Sequence, residues 1–224
     1  MAGFDTDRTA VLAIDLQRDN LEGGAWPVAG YTRVLAAARD ALTAARAAGV
    51  PVIYTRHTLS PAGVDAQRHE PRDANGAPLH SLAGAPGTAI SEEVAPTAQD
   101  IVVDKTRFSA FYATRLETVL TQMAANHLIV LGVWSEACVL SSVYDAVWRD
   151  YRVTLVKDAC GSSTDAVHKT AILNMANWLY GGRILDAREL PRALAGESYS
   201  GWAFTTPNEF PFTLDSVAAM YARL

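Results

Sequence analysis

A carboxylate, an ammonium group and a thiol each come at or shortly after the end of an apolar segment of this chain. Asp15 ends AVLAID, Lys105 follows IVVD, and Cys138 lies in GVWSEACVLSS, which begins inside the apolar run HLIVLGV. A thiol becomes a stronger nucleophile when an ammonium group or a helix N-terminus stabilises its thiolate. A nearby carboxylate can take the thiol proton and later give it to a leaving amine. The three residue types together favour acyl transfer through an activated Cys138.

Each residue alone also has an ordinary structural interpretation. A carboxylate after a strand is often a turn residue, a lysine near a loop is usually solvated, and a free cysteine is usually buried and inert. The placement of the three residues relative to the predicted elements favours the catalytic interpretation. Backbone N–H groups at a helix start after Cys138 would add a place for a developing oxyanion.

Short apolar runs alternate with helical patterns along the chain, which predicts an α/β fold. Strands are predicted at 9–14, 50–54, 101–103, 127–133, 153–156 and 183–185. Helices are predicted at 32–48, 114–125, about 138–148 and 164–180, with Thr114 and Glu117 as a capping box and Thr164 as a cap. The strands are continuous apolar runs, which is typical of a parallel sheet covered on both faces. Sites in such sheets lie beyond the carboxyl ends of the strands, so Asp15, Lys105 and Cys138 are predicted to meet there.

Composition narrows the classes of partner. The chain has 224 residues, half of them hydrophobic, and a formal net charge of −5, and it lacks a basic cluster. We therefore expect a small-molecule substrate, with no nucleic acid and no membrane as partner. Two cysteines do not make a disulfide framework, and Asp5 and Asp7 stand where an export signal carries positive charge. A cytoplasmic protein with reduced thiols is expected.

Four motifs resemble those of the isochorismatase-like cysteine hydrolases, which include nicotinamidases, N-carbamoylsarcosine amidase, ureidoacrylate amidohydrolase and biuret hydrolase. AIDLQRDN, DKTRFSAFYAT, GVWSEACVLSS and VTLVKDACGSS occur in the family's order, and the resemblance covers about residues 8–190. It implies a three-layer α/β/α fold with a six-stranded, mainly parallel sheet. It also implies a triad of Asp15 as general base and acid, Lys105 as electrostatic partner and Cys138 as nucleophile.

The resemblance further implies a non-proline cis peptide between Val133 and Trp134, with the backbone N–H groups of Trp134 and Cys138 as an oxyanion hole. The implied reaction is cleavage of a C–N bond in a small amide or ureido compound through a Cys138 thioester. Two alternatives stay open. One is an isochorismatase-type hydrolase of an enol ether, which does not need the cysteine, and the other is a non-enzymatic relative that binds a small molecule.

The motif that binds metal in nicotinamidases of this family is incomplete here. The family has an Asp-x-His pair and a later histidine, whereas this chain reads YTRHTLSPAG, with His57 near the position of the aspartate and a non-ligand at the paired position. His80 resembles the later histidine, but one ligand of three does not hold an ion. No metal and no cofactor are expected, which disfavours nicotinamide as the substrate.

The loops around the triad are expected to line the substrate pocket. The candidates are Gln17, His57, Phe108, Phe111, Tyr112, Trp134 and Glu136. Three arginines are further candidates, for binding a substrate carboxylate. They are Arg56, just before the irregular segment 58–97, and Arg68 and Arg72 within it. Cys160, His127 and His168 are expected to be structural.

The division into parts follows from the motifs. Residues 1–196 are predicted to form the hydrolase domain. Residues 197–224 are an aromatic-rich C-terminal extension, which we expect to pack on its own domain or on a neighbouring subunit, because a disordered tail is poor in aromatic residues. Many relatives are dimers or tetramers, so a homo-oligomer is expected.

Overall fold

One sheet of seven strands runs through the computed structural model, which describes residues 5–224. The strands are β1 Thr9–Ile14, β2 Val52–His57, β3 Ile101–Lys105, β4 His127–Val133, β5 Arg152–Gly161, β6 Arg183–Leu185 and β7 Trp202–Ala203. Their spatial order is β3-β2-β1-β4-β5-β6-β7. The first six are parallel and β7 is antiparallel to β6. The sheet therefore has one strand more than the six expected, because a segment too short to show a strand pattern pairs with the edge.

Helices cover both faces of this sheet. They are α1 Tyr31–Ala47, α2 Leu116–Gln122, α3 Leu140–Val147, α4 Asp165–Ala176, α5 Leu190–Leu194 and α6 Val217–Tyr221. Apolar residues of α1 and α5 pack in one cluster, and those of α2, α3, α4 and α6 pack in the other. The three-layer α/β/α fold is confirmed. No helix within residues 5–224 is long and apolar enough to cross a membrane.

Strand β1 shows why these strands read as continuous apolar runs. Leu12 and Ile14 belong to the cluster with α3, while Val11 and Ala13 belong to the cluster with α1. Since successive side chains point to opposite faces, both faces of a central strand must be apolar.

Two helix starts had a predicted cap, and the structure confirms the cap of α4 but not that of α2. Helix α2 begins at Leu116, and no side-chain capping bond forms there. The hydroxyl of Thr114 instead donates to the Ala110 carbonyl and accepts from the Leu116 N–H. A local turn at Thr114 thus forms in place of the capping box that was expected between Thr114 and Glu117. In α4, Thr164 does cap the helix by accepting from the Val167 N–H at 3.2 Å.

The C-terminal residues pack against the sheet and α4 of the same chain. Trp202 contributes to β7, and Phe210 is fully buried in the cluster with α3 and α4. The side chain of Asn177 holds Phe210 by two hydrogen bonds, donating to its carbonyl at 3.0 Å and accepting from its N–H at 2.7 Å. These contacts attach the extension to the edge of the fold at β6.

Candidate active site

Asp15, Lys105 and Cys138 meet at the carboxyl edge of the sheet. The Nζ of Lys105 lies 2.6 Å from Oδ2 of Asp15 and donates a hydrogen bond to Sγ of Cys138 at 3.3 Å. It also donates to the Arg107 carbonyl at 3.0 Å. The Lys105 side chain is fully buried. The predicted meeting of the three side chains follows from the positions of β1, β3 and β4, with β2 between β1 and β3.

The Asp15 carboxylate is aimed by the first turn after β1. Asp15 has φ 51, in the left-handed region, and its carbonyl accepts from the Gln17 N–H at 2.7 Å and the Asn20 side-chain amide at 2.9 Å. Its Oδ1 accepts from the hydroxyl of Thr55 on β2 at 2.7 Å. Because Thr55 is the partner of Ile14 in the β1–β2 register, the sheet places this hydroxyl beside the carboxylate. The other oxygen, Oδ2, faces Lys105.

The turn that carries Cys138 follows β4 directly. The Val133–Trp134 peptide bond is cis, as the resemblance implied. A single π-helical turn, Ser135–Val139, then leads into α3, with the Val139 N–H donating to the Trp134 carbonyl at 3.0 Å. Cys138 therefore lies in a π turn before α3. The sequence predicted that an α-helix begins at about Cys138, and this prediction is wrong.

Two further contacts fix this turn. Gly132 has φ 125, and a Cβ there would lie 2.1 Å from the Ile14 carbonyl oxygen, so this close approach of β4 to β1 requires glycine. The indole N–H of Trp134 donates to Oδ1 of Asn20 at 3.0 Å. Asn20 thus binds both the Asp15 backbone and Trp134, and sequence analysis did not single it out. The signal that could have identified Asn20 is its place in the AIDLQRDN motif.

The protonation states differ from the expectation of an activated thiolate. Burial raises the pKa of the Cys138 thiol to about 12, and the Asp15 carboxylate raises it further while Lys105 lowers it. Burial opposes the charge of Lys105, but the Asp15 carboxylate at 2.6 Å raises the pKa of Lys105 above its ordinary value. The resting site is therefore a neutral thiol beside an ammonium–carboxylate pair. The desolvation of Cys138 outweighs the effect of the Lys105 ammonium, and the α-helix start on which the sequence-based expectation also rested is not at Cys138.

A cavity of about 650 Å³ opens beside Asp15 and Cys138. Of the predicted pocket residues, it is lined by Gln17, His57, Phe108 and Trp134, together with Asp15 and Cys138. Sequence analysis missed several further lining residues, chiefly Asp19, Asn20, Trp26, Gln67, His69, Glu70, Ser81 and Arg107. Most of these come from loops, whose place over the sheet has no periodic signal in the sequence.

Three of the predicted pocket residues are not among those lining this cavity. Phe111 is buried in the core, where its ring lies 6.0 Å from that of Tyr151 and 5.0 Å from the Arg149 guanidinium. Tyr112 is exposed. Glu136 lies in the π turn, with one carboxylate oxygen buried. Nearness in sequence to Lys105 or Cys138 does not bring these side chains into the pocket, because successive residues of a turn point in different directions.

His57 and His80, two of the three histidines of residues 5–224 that line the cavity, do not form the metal site of the nicotinamidases. The rings of His57 and His80 are 6.0 Å apart, and Nε2 of His80 lies 3.3 Å from Glu70. Burial lowers the pKa of His57 to about 4, so its ring is neutral, and its buried Nε2 has no hydrogen-bond partner among the described residues. Across residues 5–224, no three His, Cys, Asp or Glu side chains are grouped so that they could hold a metal ion.

The arginines separate into structural and pocket residues. Arg56 pairs with Asp104 at 2.7 Å, and Arg72 donates to two backbone carbonyls of its own loop. Arg68 lines the cavity. Arg107 also lines the cavity, but it donates to the carbonyls of Asp65 and Thr106.

Comparison with known proteins places these features in one family. The isochorismatase domain model matches residues 9–189. A protein of Arabidopsis thaliana named probable inactive nicotinamidase is 33% identical over 178 residues, which cover 75% of this chain and 88% of that protein. The ureidoacrylate amidohydrolase RutB of Yersinia enterocolitica is 29% identical over 192 residues, 77% of this chain and 84% of that protein. A crystal structure of a cysteine hydrolase from Pseudomonas syringae pv. phaseolicola is similar with a TM-score of 0.77 and 28% identity, covering 87% of this chain and 96% of that one. With this match over most of its length, the chain belongs to the isochorismatase-like cysteine hydrolase family.

Proposed function

We propose that this protein is an amidohydrolase in which Cys138 attacks the carbonyl carbon of a small amide or ureido compound. The observation that carries the proposal is the position of the buried Lys105 ammonium, 2.6 Å from Asp15 and 3.3 Å from the Cys138 sulfur, where Asp15 and Cys138 line one cavity. The RutB relative, named an amidohydrolase of ureidoacrylate, supports the same class of reaction.

The first half of the reaction moves one proton through Asp15. Because the resting Cys138 is a thiol, Asp15 takes its proton as Sγ bonds to the carbonyl carbon. The ammonium of Lys105 compensates the negative charge while it passes between sulfur and carboxylate. The N–H groups of Trp134 and Cys138 stabilise the oxyanion. Asp15 then gives its proton to the leaving nitrogen as the C–N bond breaks.

The second half of the reaction returns the enzyme to its resting state. Asp15 takes a proton from a water molecule whose oxygen attacks the thioester carbonyl. The C–S bond breaks as the acid product forms, and the proton returns from Asp15 to the sulfur. Each turnover consumes one water molecule, releases ammonia or an amine and regenerates the thiol.

The pocket walls suit a small planar substrate with N–H groups. The rings of Trp26 and Trp134 meet edge to face at a centroid distance of 6.1 Å, and Phe108 lines the same cavity. The neutral His57 lines the same cavity, and its buried Nε2 has no hydrogen-bond partner within residues 5–224, so an amide or ureido group that reaches it would satisfy this nitrogen. The side chain of Gln17 bonds the backbone of His57 on both sides, donating at 2.9 Å and accepting at 2.8 Å. We assign His57 to substrate binding and Gln17 to its support.

The test is ammonia release from a panel of ureido acids, carbamoyl compounds and simple amides. Cys138→Ala is expected to lower the rate of ammonia release at least about a thousandfold while the protein stays folded. The matched control is Cys160→Ala, which changes the other cysteine, a buried thiol whose pKa is also raised by burial. This control is expected to retain turnover.

Three outcomes would contradict the proposal. Full ammonia release by Cys138→Ala would show that the thiol is not the nucleophile. Cleavage of an enol ether that Cys138→Ala retains and Asp15→Ala loses would favour the enol-ether hydrolase. Binding of panel compounds without turnover by the unmodified protein would favour a binding protein, and the name of the Arabidopsis relative makes that outcome worth measuring.

A further inference from the structure

A chain of three hydrogen bonds connects the C-terminal helix to the turn that carries Cys138. The hydroxyl of Ser135 donates to the Gly161 carbonyl at 3.0 Å and lies 2.8 Å from Nδ1 of His168. The opposite ring nitrogen of His168, Nε2, lies 2.9 Å from the Tyr221 hydroxyl. Ser135 is fully buried. These hydrogen bonds thus join β5, α4 and α6 to Ser135, in the turn that carries Cys138.

The direction of every bond in this chain is determined by proton count. Ser135 has one hydroxyl proton, and the Gly161 carbonyl can only accept it. The Ser135 oxygen must therefore accept from His168, which places the imidazole proton on Nδ1. The Nε2 of a neutral imidazole is then an acceptor, so Tyr221 must donate to it.

The surroundings keep both rings neutral. Burial lowers the pKa of His168 to about 4, and Lys169 and Lys157 lower it as well, against an opposing effect of Asp165. Burial raises the pKa of Tyr221, so its hydroxyl keeps its proton. The Nζ atoms of Lys157 and Lys169 lie 5.3 and 5.6 Å from the centre of the Tyr221 ring.

The turn between Val133 and Cys138 is held from two sides. On one side the Trp134 indole bonds Asn20, which also bonds the Asp15 carbonyl. On the other side Ser135 bonds Gly161, which pairs with Val133 in the β4–β5 register, and His168. Without the second side, the Asn20 bond and the backbone bonds from Ala137 and Val139 to the Trp134 carbonyl would remain, but no bond would tie the turn to β5 through Ser135.

We propose that Tyr221 is a positioning residue for the site, and that it acts through His168 and Ser135 to hold the N–H groups of Trp134 and Cys138 toward the oxyanion. This inference rests on the proposed hydrolysis and goes beyond it, because it gives the C-terminal extension a part in the reaction. Tyr221 and His168 are absent from the lining of the cavity among the described residues, so the effect is indirect.

The first test is Tyr221→Phe, which removes only the hydroxyl. We expect kcat to fall about tenfold, less than the roughly hundredfold loss when an oxyanion donor is removed, with KM within about twofold. The matched control is Tyr144→Phe on α3, whose hydroxyl donates to the Asn174 carbonyl of α4 at 3.2 Å and has no bond to the chain through His168. This control is expected to keep kcat. An unchanged kcat in Tyr221→Phe would overturn the proposal.

The second test asks whether Tyr221 and Ser135 act as one unit. Ser135→Ala removes the hydroxyl that Tyr221 orients through His168. If the proposal holds, the double variant Ser135→Ala with Tyr221→Phe loses no more kcat than Ser135→Ala alone, because interacting residues are non-additive. Multiplicative losses would show independent structural effects and would overturn the proposal.

A third measurement needs no substrate. Nitrogen NMR of His168 is expected to show a neutral ring protonated at Nδ1, and Tyr221→Phe is expected to shift Nε2 and the backbone amides of Trp134 and Cys138. A proton on Nε2, or amides that do not move, would overturn the proposal. If the unmodified protein hydrolyses nothing, the proposed function fails, and this measurement still decides whether Tyr221 holds the turn.

Discussion

The ammonium of Lys105 and the carboxylate of Asp15 form an ion pair at 2.6 Å, with side-chain exposures of only 0% and 7%. Burial of two charges costs several kcal/mol for each ion, and their attraction offsets this cost only while both are present. The second carboxylate oxygen is held by Thr55, so the orientation of Asp15 toward Lys105 and Cys138 is fixed from β2. The pair therefore couples the stability of the fold to the chemistry of the site.

Neutralising one member of this pair should destabilise the protein more than neutralising both. We expect Asp15→Asn and Lys105→Met each to lower the free energy of unfolding by about 3 kcal/mol, because each leaves a buried charge without its partner. The double variant should regain part of that loss while all three lack activity. Urea denaturation of the four proteins measures this, and additive losses would contradict it.

The reactivity of Cys138 should respond in opposite directions to the same two charges. With a thiol pKa of about 12, alkylation by iodoacetamide should be slow at neutral pH and accelerate as the pH rises. Asp15→Asn removes a charge that raises this pKa and should speed alkylation, whereas Lys105→Met removes one that lowers it and should slow alkylation. The measurements use a Cys160→Ala background. Equal effects of the two substitutions would argue against the electrostatic account.

The hydroxyl of Thr55 should matter more for catalysis than its methyl group. Thr55→Val removes the 2.7 Å hydrogen bond to Asp15 and is expected to lower kcat about tenfold by loosening the carboxylate. Its cost in unfolding free energy should be about 1–3 kcal/mol, since a buried acceptor loses its donor. Thr55→Ser keeps the hydroxyl and should retain most of kcat. Steady-state kinetics of Thr55→Val and Thr55→Ser measure this difference. Equal kcat values in the two variants would refute the role of the hydroxyl.

Stability should rise with pH on the acid side of neutrality. Burial lowers the pKa of His57, His127 and His168 from 6.5 to about 4 in each case. Between these values the unfolded chain binds protons that the folded chain does not, so the free energy of unfolding falls as the pH falls through this window.

Urea denaturation at about pH 5 and about pH 7 measures this slope. His127→Gln removes one of the three groups and should reduce it. His69→Gln changes an exposed histidine and serves as the control. A stability that is flat or higher at the acid end would contradict the neutral state of the buried histidines.

The fold was predictable because its signals are local. The predicted strands at 9–14, 127–133 and 183–185 have the same bounds in the structure. Apolar runs bounded by turns suffice to place parallel strands, and the order of the elements then implies a covered sheet. Helix starts were less predictable, because the Thr114 hydroxyl could bond either a helix N–H three residues on or a nearer turn, and only the packed structure selects the turn.

The sequence by itself determined that a carboxylate, an ammonium group and a thiol lie at the carboxyl ends of strands, since strand order along the chain and side-chain type are local properties. Only the tertiary structure decided that the thiol is neutral, that Thr55 and Asn20 hold the site, and that Tyr221 reaches the Cys138 turn through His168. Desolvation and hydrogen bonding depend on which groups surround a side chain. Those neighbours come from segments far apart in the sequence, and no local pattern records them.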